Sequence, residues 1–541
     1  MENLFIKAAN FQPLTETENG AKAYYTTGSA LVDQFGLAGN YRGREIGQVF
    51  DDQEKLWEEN VEAAIRLPFY LRLVTRNVKI ADDKVTEKVM NGQGGRDESF
   101  KRFLWLAKYH PEQFYKNAWL IPIVGSWKDL WTLMYYDKKF DVNALDRKLI
   151  YEIIKQGLES ETFTDLIKKF MPRIKSGSKT NTDWTKMTNE FAKEFANTYK
   201  MKYGKYNHLK SSGKAHDFQK LISNKEYNKL KWNKIPGRAL SMLVNGKFIS
   251  NHNLEKSYLK WLDTQETVKF TGYPYELVIK ANERHSLPLI TQHTLNKQFL
   301  QLVETARANG KITENVLVCL DTSGSMNCQV TGLQGVRCAD IANSLALFFA
   351  ELNTGAFHNK VMSFDRVSKA HDLKGGNFCN NLKMLPHVPC GGTNFQSVID
   401  ELIRIKNEHP EIPISDFPTT ILAVSDMQMN PVNSWYSRQD ATNFEESVNK
   451  LKSAFPEEYV DSIKFVWWNC ASRSKTFEGD ATTQGCLFVS GFDGSFLNTL
   501  LGMEPKEVVD KKTGKVKKVQ PSAEEVAFNA LNQEIFNYVQ V

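Results

Sequence analysis

Asp321, Ser323 and Ser325 form a D-x-S-x-S pattern directly after the apolar run "NVLVCL" of residues 315–320. Alternate residues of a tight loop can aim three side-chain oxygens at one point, and small hard donors suit Mg²⁺ or another divalent cation. Thr393 in "CGGTNF", just ahead of a helical pattern, and Asp426 in "ILAVSDMQ", directly after an apolar run, offer two further oxygens. These five residues are the candidate metal ligands. The competing reading has the serines capping the following helix with no cation involved.

A second chemistry is suggested by a basic stretch. Residues 201–250 hold 11 Lys and Arg against 2 Asp and Glu. Between Tyr199 and Arg238, Lys200, Lys202, Lys205, Lys210, Lys214, Lys220, Lys225, Lys229, Lys231 and Lys234 interleave with Tyr203, Tyr206, Phe218, Tyr227 and Trp232. Cations neutralise phosphates, and aromatic faces stack on unpaired bases at roughly 1–3 kcal/mol each. The run is a candidate RNA surface, against the plainer reading of solvated lysines over a buried aromatic stripe. Lysine greatly outnumbers arginine there, which favours phosphate contact over reading of base edges.

Catalytic patterns are missing: no G-x-x-x-x-G-K-[ST], H-E-x-x-H or G-x-S-x-G occurs. Asp340 and Asp365 could join Asp321 as acid–base carboxylates, but a helix start and a strand end assign them structural roles. The seven cysteines all lie beyond residue 318 and form no C-x-x-C pair, which predicts reduced thiols in a cytosol-like compartment. His371, Cys379, His387 and Cys390 come nearest to a soft-metal cluster, and their spacings fit no zinc finger or ribbon.

The elements that must position these residues differ between the two parts of the chain. From 51 to about 306, stretches such as "EKLWEENVEAAIRLPFYLRLV", "DESFKRFLWLAKY" and "DWTKMTNEFAKEFANTY" repeat apolar residues at three and four places, predicting stacked amphipathic helices. Beyond 311, the short runs "NVLVCLD", "NKVMSFD", "TTILAVSD", "SIKFVWWN" and "GCLFVSG" alternate with helical stretches. Continuous apolar strands between helices indicate a doubly wound, mainly parallel sheet, whose ligands bind beyond the carboxyl ends of the strands. The expected class is α plus α/β, divided into a helical domain over 1–310 and a sheet domain over 311–541. Charge follows the same division, because residues 1–310 carry 48 basic and 36 acidic groups whereas the whole chain of 541 residues is only +6. Residues 1–20 carry no clear pattern and are expected to pack as an arm against the other half.

The five oxygen-bearing positions, in this order and at these strand ends, resemble the metal-ion-dependent adhesion site of von Willebrand factor A domains. "KWNKIPGRALSMLV", "GYPYELVIKA", "FVWWNCASRS" and "GCLFVSGFDGSFLNTLLG" are similar to segments of proteins that join a TROVE helical domain to such an A domain. The Ro ribonucleoprotein family has this architecture, and the chain resembles its less characterised eukaryotic and phage branch more than Ro itself. The resemblance implies a HEAT-like ring or solenoid that binds small structured or single-stranded RNA. It also implies one divalent cation held directly or through water, with a position kept for an outside carboxylate.

Two functions follow as expectations: non-catalytic RNA binding of the Ro type in RNA stabilisation or quality control, and metal-dependent adaptation of a protein partner. No run approaches the ~18 apolar residues that span a bilayer, so a cytoplasmic monomer without a membrane partner is expected; the composition, 41% apolar and 24% charged, is that of a globular chain.

Overall fold

The computed structural model describes residues 14–81, 84–175, 182–213, 217–245, 247–283, 287–308, 315–386, 390–432, 441–471, 474–492, 494, 503, 505–509 and 516–541. They form mixed helical and sheet structure in two compact units. One comprises the N-terminal segment to Arg42 together with Pro236–Asn529, and the other Gly43–Ile235 together with Ala530–Val541.

Neither unit breaks at residue 310, where the change in sequence pattern places the boundary. The reason lies in the helix Cys338–Leu352, buried along its whole length. A helix buried on every side needs cover on every side. The Val316–Asp321 and Thr420–Ser425 strands supply part of it, and the helices Pro274–Asn282 and Leu289–Ala308 supply another part. The last helices of the first 310 residues therefore belong to the core of the sheet unit.

That unit is built on six strands in the order Cys486–Ser490, Lys464–Asn469, Thr420–Ser425, Val316–Asp321, Lys360–Phe364 and Ser368–Asp372. All neighbours are parallel except the last pair. The strands Val316–Asp321, Thr420–Ser425 and Lys464–Asn469 are buried at every residue, as a sheet covered on both faces requires. The edge strand Ser368–Asp372 escapes the sequence pattern because "SKAHD" has no apolar run and is largely exposed. Strand order reverses between Val316–Asp321 and Thr420–Ser425, which makes their carboxyl ends the switch point where such sheets bind ligands.

Residues 14–42 also pack on this unit; of the arm expected over 1–20, residues 1–13 lie outside the described residues. Two short strands, Leu14–Glu16 and Lys22–Tyr24, pair antiparallel, and the helix Ala30–Leu37 covers the Cys486–Ser490 strand. Close approach demands small residues: a Cβ on Gly39 would lie 2.5 Å from the Ser490 carbonyl oxygen. At the other end, Ser522 and Glu525 cap the helix Ala523–Leu531 reciprocally, at 3.1 and 3.3 Å.

In the helical unit the long pattern over 54–74 divides into Ile46–Glu59 and Val61–Arg72. Asn60 is extended and its side chain accepts the Ala63 amide at 2.9 Å, capping the second helix. The helix Arg96–Tyr109 departs from the amphipathic expectation because Glu98, Lys101 and Arg102 are all at most 1% exposed. Their charges are compensated within the unit: Arg44 bridges Glu98 at 2.9 Å and Asp52 at 2.8 Å, and Lys101 bridges Asp97 at 2.8 Å. Among the described residues, no helix is long and apolar enough to cross a membrane.

Candidate metal centre

The sheet carries Asp321 to the last position of its strand and Asp426 to the first position after the neighbouring one, so both carboxylates meet the switch point. The backbone amide of Ser323 donates to Asp321 Oδ1 at 2.8 Å, which folds the loop back on the carboxylate. Ser323 then opens a 3₁₀ turn over Gly324–Asn327, and this brings its Oγ to 3.1 Å from Ser325 Oγ. Three candidate oxygens thus converge on one loop.

Two further loops close around it. The amide of Cys390 donates to the Thr322 carbonyl at 2.9 Å and that of Asn430 to the Thr393 carbonyl at 3.0 Å. Thr393 is thereby tied both to the D-x-S-x-S loop and to the segment after Asp426. Glycine permits this approach, since a Cβ on Gly392 would lie 2.6 Å from Asn430 Nδ2 and Gly391 has φ +89°. Met427, directly after Asp426, takes the left-handed conformation with φ +63°. Its amide and that of Gln428 turn back to Ser425 Oγ and Asp426 Oδ1 at 3.0 and 3.3 Å.

The electrostatics are those of a buried acidic pair. Asp321, Ser323, Thr393 and Asp426 are each 1–2% exposed. Burial, and then the charge of Asp426, push the Asp321 carboxyl up to about 7. Hydrogen bonds oppose this rise, the strongest being that from Ser425 Oγ to Asp321 Oδ2 at 2.5 Å. Among the described residues no lysine or arginine pairs with Asp321. A divalent cation suits such a set: the donors are all hard oxygens, and two carboxylates held together in a dry place gain most from a positive charge between them.

Sequence reasoning overlooked three contributors. Ser425 is adjacent to Asp426 and could have been found by its place at a strand end. Asn19 and Gln428 are invisible to local pattern: Asn19 Nδ2 donates to the Gln428 carbonyl at 2.5 Å and lies 3.4 Å from Thr393 Oγ1, across 374 residues of chain.

The other carboxylates take structural places. Asp340 sits in the first turn of Cys338–Leu352 and pairs with Arg337 at 2.9 Å, and the Asp365 carbonyl accepts the Asn394 amide at 2.7 Å. His371 Nε2 lies 2.7 Å from Ser363 Oγ, and Cys379 is buried in its own helix. His387 lies outside the described residues. Among those described, no three His, Cys, Asp or Glu side chains form a metal-holding group.

The basic run is only partly exposed. Lys200, Lys202, Lys205, Lys220, Lys225, Lys231 and Lys234 are exposed. Lys229 is exposed but paired with Glu226 at 2.6 Å, and Lys210 is half-buried, with burial lowering its pKa. Lys214 lies outside the described residues. Arg238 pairs with Glu276 and belongs to the sheet unit, so the run is divided between two units. Two expected stacking residues are corrected. Tyr206 is 0% exposed with its hydroxyl on the Pro172 carbonyl at 2.9 Å, and Trp232 is 6% exposed, so both rings fill the core and offer no face to a base. Tyr203, 41% exposed, remains available.

Comparison with known proteins adds relatives without a function. A family model described as a domain of unknown function, DUF7788, matches residues 314–536. The uncharacterized protein L728 of Acanthamoeba polyphaga mimivirus is 24% identical over 538 residues, covering 91% of this chain and 85% of its own length. The family match therefore includes all five candidate ligands, and the viral relative spans both compact units.

Proposed function

We propose that this chain is a non-catalytic recognition protein of TROVE plus von Willebrand A type, whose sheet unit holds a divalent cation and presents it to a carboxylate of a protein partner. The observation that carries the reading is the convergence of Asp321, Ser323, Ser325, Thr393 and Asp426 at the switch point of the sheet. Asp321 and the two serines would hold the cation, Mg²⁺ being the best match to small oxygen donors, and Thr393 and Asp426 would complete its surroundings directly or through water. The cation supplies a Lewis-acidic position that an outside carboxylate can fill. The chain's own residues hold the acidic pair dry and oriented, and no nucleophile or general base is needed for that task.

The test is calorimetric titration of the full chain with Mg²⁺ and Mn²⁺, beside Asp321→Ala. Saturable binding in the wild type that disappears in the variant supports the site. Equal heats in both exclude it.

A second reading, RNA binding by the helical unit, draws on the seven exposed lysines between 200 and 234. Among the described residues none of the seven pairs with an acid as Lys229 does with Glu226, and phosphate contact needs no more than such a face. Cytoplasmic residence as a monomer accompanies both readings.

A further inference from the structure

Four of the five ligand residues are nearly inaccessible, although a site that receives an outside carboxylate has to open to solvent. The cover over it is part of the chain. Residues Thr17–Gly20 form the turn between the strands Leu14–Glu16 and Lys22–Tyr24, closed by the Gly20 amide on the Thr17 carbonyl at 2.9 Å with Gly20 at φ +85°. This turn reaches two of the three loops of the site. Asn19 Nδ2 lies 3.4 Å from Thr393 Oγ1 and donates to the Gln428 carbonyl at 2.5 Å. The Glu18 amide donates to Gln428 Oε1 at 2.7 Å, and Thr17 Oγ1 donates to the Met429 carbonyl at 2.7 Å.

We infer that the Thr17–Gly20 turn is a built-in occupant of the outward face of the cation site, which an outside carboxylate must displace. The inference rests on the cation-site reading proposed above. Glu18 and Asn19 are exposed while Thr393 beneath them is 1% exposed, so the turn is the outer layer. Its attachment is suited to lifting. The tip is held through polar bonds of Thr17, Glu18 and Asn19, and a two-stranded ribbon with strands of three residues has little stability of its own. The base is anchored more firmly, because Tyr24 and Phe477 exchange both backbone hydrogen bonds at 2.8 Å and the Ala481 amide bonds to the Thr27 carbonyl at 2.9 Å. Opening at the tip therefore leaves the segment tethered beside the site. The group directly over Thr393 is the Asn19 amide, so the displacing ligand is a small acidic group whose carboxylate takes that place.

The experiment uses the full chain loaded with Mn²⁺, whose bound water is followed by proton relaxation while succinate is added as the carboxylate probe. Asn19→Ala and Thr17→Val each remove tip bonds without replacing any of the five ligands; the second, which makes no contact with Thr393, guards against a folding defect in the first. Each is expected to lower the succinate concentration at half-response by about fivefold, the order expected when one or two hydrogen bonds to the cover are lost. Hydrogen exchange at the Glu18 and Ala21 amides should rise in the wild type as succinate binds. Identical succinate responses in wild type and both variants, with Mn²⁺ bound in all three, overturn the cover while leaving the cation site standing. Absence of Mn²⁺ binding in the wild type overturns both.

Discussion

Replacing Asp321 by Asn keeps the shape of the side chain and removes its charge, which separates the cost of the buried carboxylate from its use as a ligand. Burial and Asp426 push the Asp321 carboxyl up to about 7, whereas an unfolded aspartate titrates near about 3.9. Between those values the folded chain holds more protons than the unfolded one. Its stability share is complete below about pH 4 and is lost as pH rises through about 7. At about 1.4 kcal/mol per pH unit the loss reaches roughly 4 kcal/mol at pH 8, an upper bound shared by the two coupled carboxyls. Without a cation, Asp321→Asn is therefore expected to exceed the wild type in stability at pH 8 and to match it near pH 4. Mg²⁺ narrows the gap, because a ligand at 100 times its Kd adds about 2.7 kcal/mol to the wild type and nothing to the variant. At pH 5 only about 1% of a carboxyl titrating near 7 is ionised, so protons compete and apparent affinity falls roughly 100-fold. Thermal unfolding of both chains in EDTA and in excess MgCl₂, at pH 5 and pH 8, reads every term. An equal Mg²⁺ response in the two chains, or a wild-type response as large at pH 5 as at pH 8, refutes the assignment.

Glu478 is 4% exposed and burial raises its carboxyl to about 8, although it accepts the Asn443 amide at 2.9 Å. Glu478→Gln keeps the acceptor and should flatten the fall in stability between about pH 4 and pH 8, measured as the urea midpoint at both ends of that window. Changing Lys200, Lys202, Lys205, Lys231 and Lys234 to Glu should abolish salt-sensitive RNA binding at unchanged thermal stability, and undiminished retention of RNA on a filter would remove the second reading. Trp232→Ala should instead lower stability by about 3–5 kcal/mol, as expected for a core aromatic; a fully stable variant would contradict its burial. Gly39→Ala places a Cβ against the Ser490 carbonyl and should cost about 1–3 kcal/mol, read as a lower denaturant midpoint together with faster proteolysis of the N-terminal segment.

The strands around Asp321 and Asp426 were legible because a parallel strand buried on both faces is written as a nearly continuous apolar run, as in "VLVCL" and "ILAV". The carboxylates and hydroxyls stand out because they interrupt such runs where the chain turns. The edge strand Ser368–Asp372 was hidden for the opposite reason, since a half-exposed strand can be polar. The basic run shows how far composition alone carries: it marks charge correctly, but the rings of Tyr206 and Trp232 read identically whether they face solvent or the core, and packing put them inside.

Local sequence thus determined which residues could coordinate a cation and which element each would end. Tertiary structure decided what lies over them and where the units divide. Helix Cys338–Leu352 is buried all round, so the upstream helices Pro274–Asn282 and Leu289–Ala308 had to cover part of it, and they joined the sheet unit. Asn19 reaches Thr393 for a related reason, because the arm that covers the Cys486–Ser490 strand brings its turn to the carboxyl ends of the sheet. No periodicity records a contact across 374 residues; only the requirement that buried faces find partners creates it.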